Sequence, residues 1–341
     1  GDAAVGSIGG DITGGDTAVG NGDINVNEPV SWTAAPSTTT LTLNAARDVN
    51  VRLGADISAT NGNFVICCGR DINMNAAVTT VNGSILMAAG RTLNLNGALT
   101  TTDGNVTMCA ALDVNIASKI TLTRGASVPS QSLDLPLGLV LSAGTGGTGV
   151  GTVIFAPLTP PAAVTVAPVT INYNPVAYTT PTNYSGNFTL TEGATLTQRM
   201  LVFASGDKEF NDSTQTTLDA QLKGNPAGVT LVAGPGSVAE FDTAAEGTNK
   251  VITFTGYTLA GANAAQYALP ESCCGEKVAK TTGTIAAAAP LPTPPPTAAP
   301  TPAPTVAPTP APTAAPTPAP TAAPTPAPTA APTPAPTPAP T

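Results

Sequence analysis

Between residues 39 and 124 apolar side chains return to the same places roughly every twenty-one positions, and few folds satisfy that constraint. Segments 39–61, 62–82, 83–103 and 104–124 align without gaps over most of their length. The first strand of each segment gives the column Leu41, Phe64, Ile85, Val106 and, two residues on, Leu43, Ile66, Met87, Met108. A second strand gives Val49, Ile72, Leu93, Val114, then Val51, Met74, Leu95, Ile116, and a third gives Ile57, Val78, Leu99, Ile120. Every column is apolar and the alternation within each strand has period two, so one face is dry and the other wet. Three short strands per turn, with turns about 4.8 Å apart, predict a right-handed parallel β-helix.

The wet face has its own order. Asn25, Asn50, Asn73, Asn94 and Asn115 follow the inward residue of the second strand, a spacing that predicts a hydrogen-bonded amide ladder. Asp23, Asp48, Asp71 and Asp113 open these strands as turn residues, while Arg70 and Lys119 read as isolated charges. Residues 1–38 read as irregular first turns, with Gly9-Gly10-Asp11, Gly14-Gly15-Asp16 and Gly22-Asp23 as corners too unevenly spaced for a calcium repeat. Trp32, the single Trp, plugs or caps the early core. One outward rank, Ser58, Thr79, Thr100 and Thr121, is too narrow on its own for an ice-ordering face.

Residues 125–200 continue the β-helix or cap it with longer loops, and Tyr173, Tyr178 and Tyr184 are candidates for stacking on a carbohydrate. Residues 201–285 read as short strands broken by Gly and Pro, a small sandwich-like β domain. Residues 286–341 are nearly pure Ala, Pro and Thr; they cannot bury a core and predict a polyproline II stalk reaching about 170 Å at ~3.1 Å per residue. Thr293, Thr297, Thr301 and Thr305 are candidate O-glycosylation sites there. The fold class is therefore all-β: a helix of stacked turns over 1–124, its continuation, a β module and a stalk.

Chemistry is sparse. The chain holds 341 residues with a formal net charge of −9, 12 Lys+Arg and no His. Nucleic acid needs clustered cations, so it is not expected as a partner. No run reaches 18 apolar residues, so no membrane insertion is expected, and residue 1 reads as a processed start. Without His there is no Ser-His-Asp or Cys-His arrangement, and no zinc or haem spacing; neither metal, cofactor nor catalysis is expected. Five cysteines remain: Cys67, Cys68, Cys109, Cys273 and Cys274. Cys67 and Cys109 share a column two turns apart, about 9.6 Å, beyond the ~7 Å Cα limit of a disulfide. The five are candidates for crosslinks between the two domains or between subunits, the odd count leaving one thiol free or intermolecular.

The stretch Asn21-Gly22-Asp23-Ile24-Asn25-Val26-Asn27-Glu28-Pro29-Val30-Ser31-Trp32, with Leu41 to Val51 and the later Gly-Arg-Asp-Ile-Asn variants, resembles the filamentous-haemagglutinin-type exoproteins of bacteria. Lys208-Glu209-Phe210-Asn211-Asp212-Ser213-Thr214 and Gly256 to Tyr267 resemble the two motifs of the YDG domain, with Phe210, Asn211-Asp212 and Gln266 as departures. The resemblance implies a secreted surface protein without catalysis. The expectation is a structural subunit of an extracellular filament or matrix, a homopolymer growing head to tail by strand addition. The alternative is a cell-surface adhesin that binds glycan or protein through 125–285.

Overall fold

The computed structural model describes residues 3–5, 22–218, 220–221, 224, 226–272 and 278–288. The repeats build a β-solenoid of about 8 turns, each regular turn giving one strand to each of three parallel sheets. The first sheet runs from Ala3–Val5 to Val153–Phe155, the second from Thr39–Ala45 to Tyr267–Ala268, and the third from Val30–Thr33 to Phe188–Thr191. Leu41, Phe64, Ile85 and Val106 lie directly above one another, and their column continues through Leu139, Val169 and Leu196. Phe64, Ile85, Val106, Leu139 and Val169 are fully buried. Burying one such side chain contributes about 1.5–3 kcal/mol, which is why the repeat length is held so closely.

Corners repeat as faithfully as strands. Asn61, Asn82, Asp103 and Arg124 occupy one corner with φ of 53–57°, a left-handed conformation that Asn and Asp adopt more readily than most residues. Each precedes a glycine, and a Cβ on Gly83 would lie 2.0 Å from the Gly62 carbonyl oxygen. The stacked turn has no room for it.

Polar ladders bind the outside of the first sheet. Amide side chains donate along Asn115, Asn94, Asn73, Asn50 and Asn25 at 2.8–3.1 Å. The Asp column does more than open strands. Asp48 accepts from the Asp71 backbone N–H at 3.0 Å, and Asp71 from that of Thr92 at 3.2 Å. Arginines of the following turn close on the same carboxylates: Arg47 on Asp23, Arg70 on Asp48, Arg91 on Asp71. Arg70 is thus not isolated, because the turn length brings it onto the carboxylate one coil earlier. The Arg70 guanidinium, opposed only in part by burial, lowers Asp48 from 3.8 to about 2.

Residues 125–138 leave the regular coil and fold back along the second sheet. Asn63, Ser84 and Asn105 form the buried polar column that pins them. Asn63 donates to Ser130 O at 2.9 Å, Ser84 to Gln131 O, and Asn105 to Ala126 O at 2.8 Å. At the far end, Tyr173, Tyr184, Phe188 and Met200 fill the solenoid bore, with Phe155 against Phe188. There Tyr267–Ala268 adds to Met200–Leu201 as the last strand of the second sheet.

That strand comes from a second core, in which Phe241, Ile252, Phe254 and Ile285 are buried. One four-stranded sheet covers it, in the order Lys208–Glu209, Ala279–Ala286, Gly247–Ala260, Thr230–Phe241, beside a two-stranded ribbon of Ala204–Ser205 and Ala220–Gln221. The Ala/Pro/Thr stretch with Thr293, Thr297, Thr301 and Thr305 lies outside the described residues.

Two outcomes follow. Ile85→Ala is expected to cost about 2–5 kcal/mol in urea unfolding, whereas Thr100→Ala on the wet face stays within about 0.5 kcal/mol; equal losses would contradict the stacking. Because Asp48 titrates lower folded than unfolded, its pair stabilises above about pH 4 and fades as pH falls towards 2. The thermal-midpoint gap between wild type and Arg70→Ala should therefore be small but widest above pH 4, and close in acid.

Candidate functional site

The register carries the Cys column past its cysteines. It reads Asn44, Cys67, Ala88, Cys109, Ser142, Asn172, Arg199 in successive turns of the second sheet. Cys67 and Cys109 are both disulfide-bonded, and with Ala88 between them they do not bond each other. Cys68 is a free, half-buried thiol whose pKa burial pushes up. Cys273 and Cys274 lie outside the described residues.

The tyrosines chosen for sugar stacking sit elsewhere than expected. Tyr173 is 2% exposed and Tyr184 4%, packed edge to face at 5.1 Å in the bore. Tyr178 is half-buried, donates to Leu201 O at 3.1 Å and meets Tyr267 edge-on. Their apolar rings close the solenoid end. Burial raises the Tyr178 hydroxyl to about 12, and the Tyr173 and Tyr184 hydroxyls also rise. None of the three lines the groove described next.

That groove has a volume of about 780 Å³ and is lined mainly from 125–285, with Leu86 and Thr107 contributed by earlier turns. Its floor is the outer face of the second sheet at Thr107, Val140, Ser142 and Asn172, with Arg199 at the end of the column. One wall is the folded-back segment at Leu133 to Pro136, where Leu133 and Asp134 take φ of 53° and 52°. The other is the end of the long strand Gly247–Ala260 away from its hairpin turn, at Tyr257 to Leu259, followed by Ala264–Ala265, 267–269 and 271–272. Gly256 turns the hairpin towards the groove, beside the register break at Ala233/Val238; at φ 76° a Cβ would lie 2.8 Å from Ser237 Cα.

Polar satisfaction singles this place out. Among the described residues three buried side-chain atoms lack a hydrogen-bond partner: Arg47 Nε, Thr107 Oγ1 and Asn172 Oδ1. Arg47 Nε still faces Asp23 at 3.4 Å as an ion pair, outside hydrogen-bond alignment. The other two both face the groove. Asn172 uses its amide nitrogen on Ser142 Oγ at 2.9 Å, which leaves its carbonyl oxygen without a partner. The Thr face of the third sheet differs. There the rank Ser58, Thr79, Thr100, Thr121 has a second beside it, Thr60, Val81, Thr102, Thr123, yet no buried atom of either is orphaned.

The two motifs of the second core are structural in their contacts. Lys208 Nζ donates to Asn211 Oδ1 at 2.8 Å and to the carbonyls of Ser213 and Gln215, gathering the following turn. Asp212, where the YDG pattern has Gly, sits at φ 56°, a conformation Asp accepts. In the second motif Asn263 donates to Ala227 O at 2.9 Å and Tyr267 pairs with Met200.

The family model of the YDG domain matches residues 194–273. The match begins in the last solenoid strand of this chain, Leu196–Leu201, and spans the turn, the hairpin and Tyr267–Ala268. No curated protein and no solved structure matches the chain significantly.

If the Cys67 and Cys109 disulfides close within one chain, denaturing electrophoresis should give one monomer band with or without reductant. Reductant should lower the thermal midpoint, by the few degrees that ~2–5 kcal/mol per native disulfide implies or more. A ladder of oligomers in the non-reducing lane would contradict the assignment.

Proposed function

We propose that this chain is a secreted, non-catalytic surface protein of adhesin type, in which the solenoid is a stiff spacer and the groove beside the YDG domain is the recognition surface. The groove carries this reading. It is concave and of the 300–1,000 Å³ size that small-molecule and cofactor sites occupy. Its floor is set on strands of the solenoid, whose positions are fixed by stacking. The two disulfide-bonded cysteines favour an oxidising, extracellular setting. The Ala/Pro/Thr tail serves as an O-glycosylated stalk in this reading.

The head-to-tail filament keeps one supporting observation: Val30–Thr33 and Thr39–Ala45, at the amino-terminal ends of two sheets, have no further partner strand among the described residues. Against it, the opposite end of the second sheet is already met by Tyr267–Ala268, and the bore there is filled with aromatic rings. A chain adding beside Met200–Leu201 would have to displace the Tyr267–Ala268 strand.

Electron microscopy of the purified full chain, with light scattering over a concentration series, separates the two. Dispersed single particles of monomer mass are expected; fibres lengthening with concentration would overturn the adhesin reading in favour of the polymer.

A further inference from the structure

We propose that the groove binds a neutral oligosaccharide, with Thr107, Asn172 and Arg199 making the polar contacts. The proposal deepens the recognition reading and rests on it. Thr107 lines the groove and is 6% exposed, and its hydroxyl has no partner among the described residues. Leaving a buried polar atom unpaired is unfavourable, a cost a ligand group would remove on binding. Asn172 Oδ1 is a pure acceptor and so requires a ligand that donates. Arg199, exposed at the end of the same column, makes no ion pair with a described residue and offers planar donors.

The ligand must therefore donate and accept at points spread over successive strands of the floor, as the hydroxyls of consecutive sugar rings do. The apolar lining suits the C–H faces of a sugar: Leu86, Leu133, Val140 and Leu259, with the rings of Tyr257 and Tyr267 half exposed. Charge selects the class. Asp134 and Glu271 line the groove against the single cation Arg199, a balance of 1 − 2 = −1 among the described lining residues. Uronates, sulfated sugars and phosphates would meet two carboxylates; neutral hydroxyls find in them two further acceptors. An extended peptide fits less well. Strand addition needs an open sheet edge, whereas this floor is the side-chain face of a sheet whose nearby edge carries Tyr267–Ala268.

The test is a glycan array probed with the full chain, printed with neutral gluco-, galacto- and manno-oligosaccharides beside uronate-bearing and sulfated ones, followed by calorimetric titration of the best neutral binder. Binding is expected on neutral spots alone. Thr107→Val preserves shape and removes the orphan hydroxyl, so it should weaken that binding about tenfold or more while the thermal midpoint holds or rises. A hydroxyl with a merely structural role would give unchanged binding. Arg199→Ala, at an exposed position, should also weaken binding by about tenfold; it keeps the test decisive should the valine variant fail to fold. Empty neutral spots, retention only on acidic spots, or wild-type affinity in both variants would overturn the proposal. Empty spots from a chain that stays monomeric would leave the adhesin reading standing, whereas fibres would remove that reading itself.

Discussion

A parallel sheet that grows one strand per turn leaves its outermost strand with unpaired N–H and C=O groups, and the structure depends on how that edge is met. Inside the solenoid each turn satisfies the one before it. At the end of the second sheet the partner comes from some sixty residues downstream, where Tyr267–Ala268 lies parallel to Met200–Leu201 and the Val202 N–H donates to Ala268 O at 2.9 Å. One short strand thus caps the coil and anchors the second core. It also fixes the far wall of the groove.

The regular turns were legible in the sequence because their information is local and repeated. Phe64, Ile85 and Val106 had to stack once the repeat was seen, since a slip by one residue would turn every apolar side chain outward. The Asn ladder followed from the same arithmetic. The Arg70–Asp48 pair was also within reach, because Asp48 and Arg70 sit 22 positions apart, close to one turn. The repeat period relates charged side chains of adjacent turns just as it relates apolar ones.

What the sequence hid was set by chain returns without period. Tyr173 and Tyr184 looked like ligand aromatics because nothing local says whether a ring at the end of a coil faces the bore or water. The groove was less visible still. Thr107 is an ordinary wet-face residue until the 125–138 excursion and the hairpin at 257–259 arrive on either side of it. Only the successive Ser142, Asn172 and Arg199, following Cys67, Ala88 and Cys109 in one column, hinted that this face changes character. Recognition on this account arises at the seam between a repetitive scaffold, which places side chains accurately, and an irregular module, which shelters them.

Amide hydrogen exchange of the intact chain tests the central claim most directly, because it reads the capping strand itself. If Tyr267–Ala268 continues the solenoid sheet, the amides of residues 200–202 and 267–268 that donate across it should exchange as slowly as those of the 139–143 and 169–173 strands within the coil. Exchange on the timescale of exposed turns such as 244–246, with the coil still protected, would mean that the second core hangs free, and would contradict both the closed end and the groove.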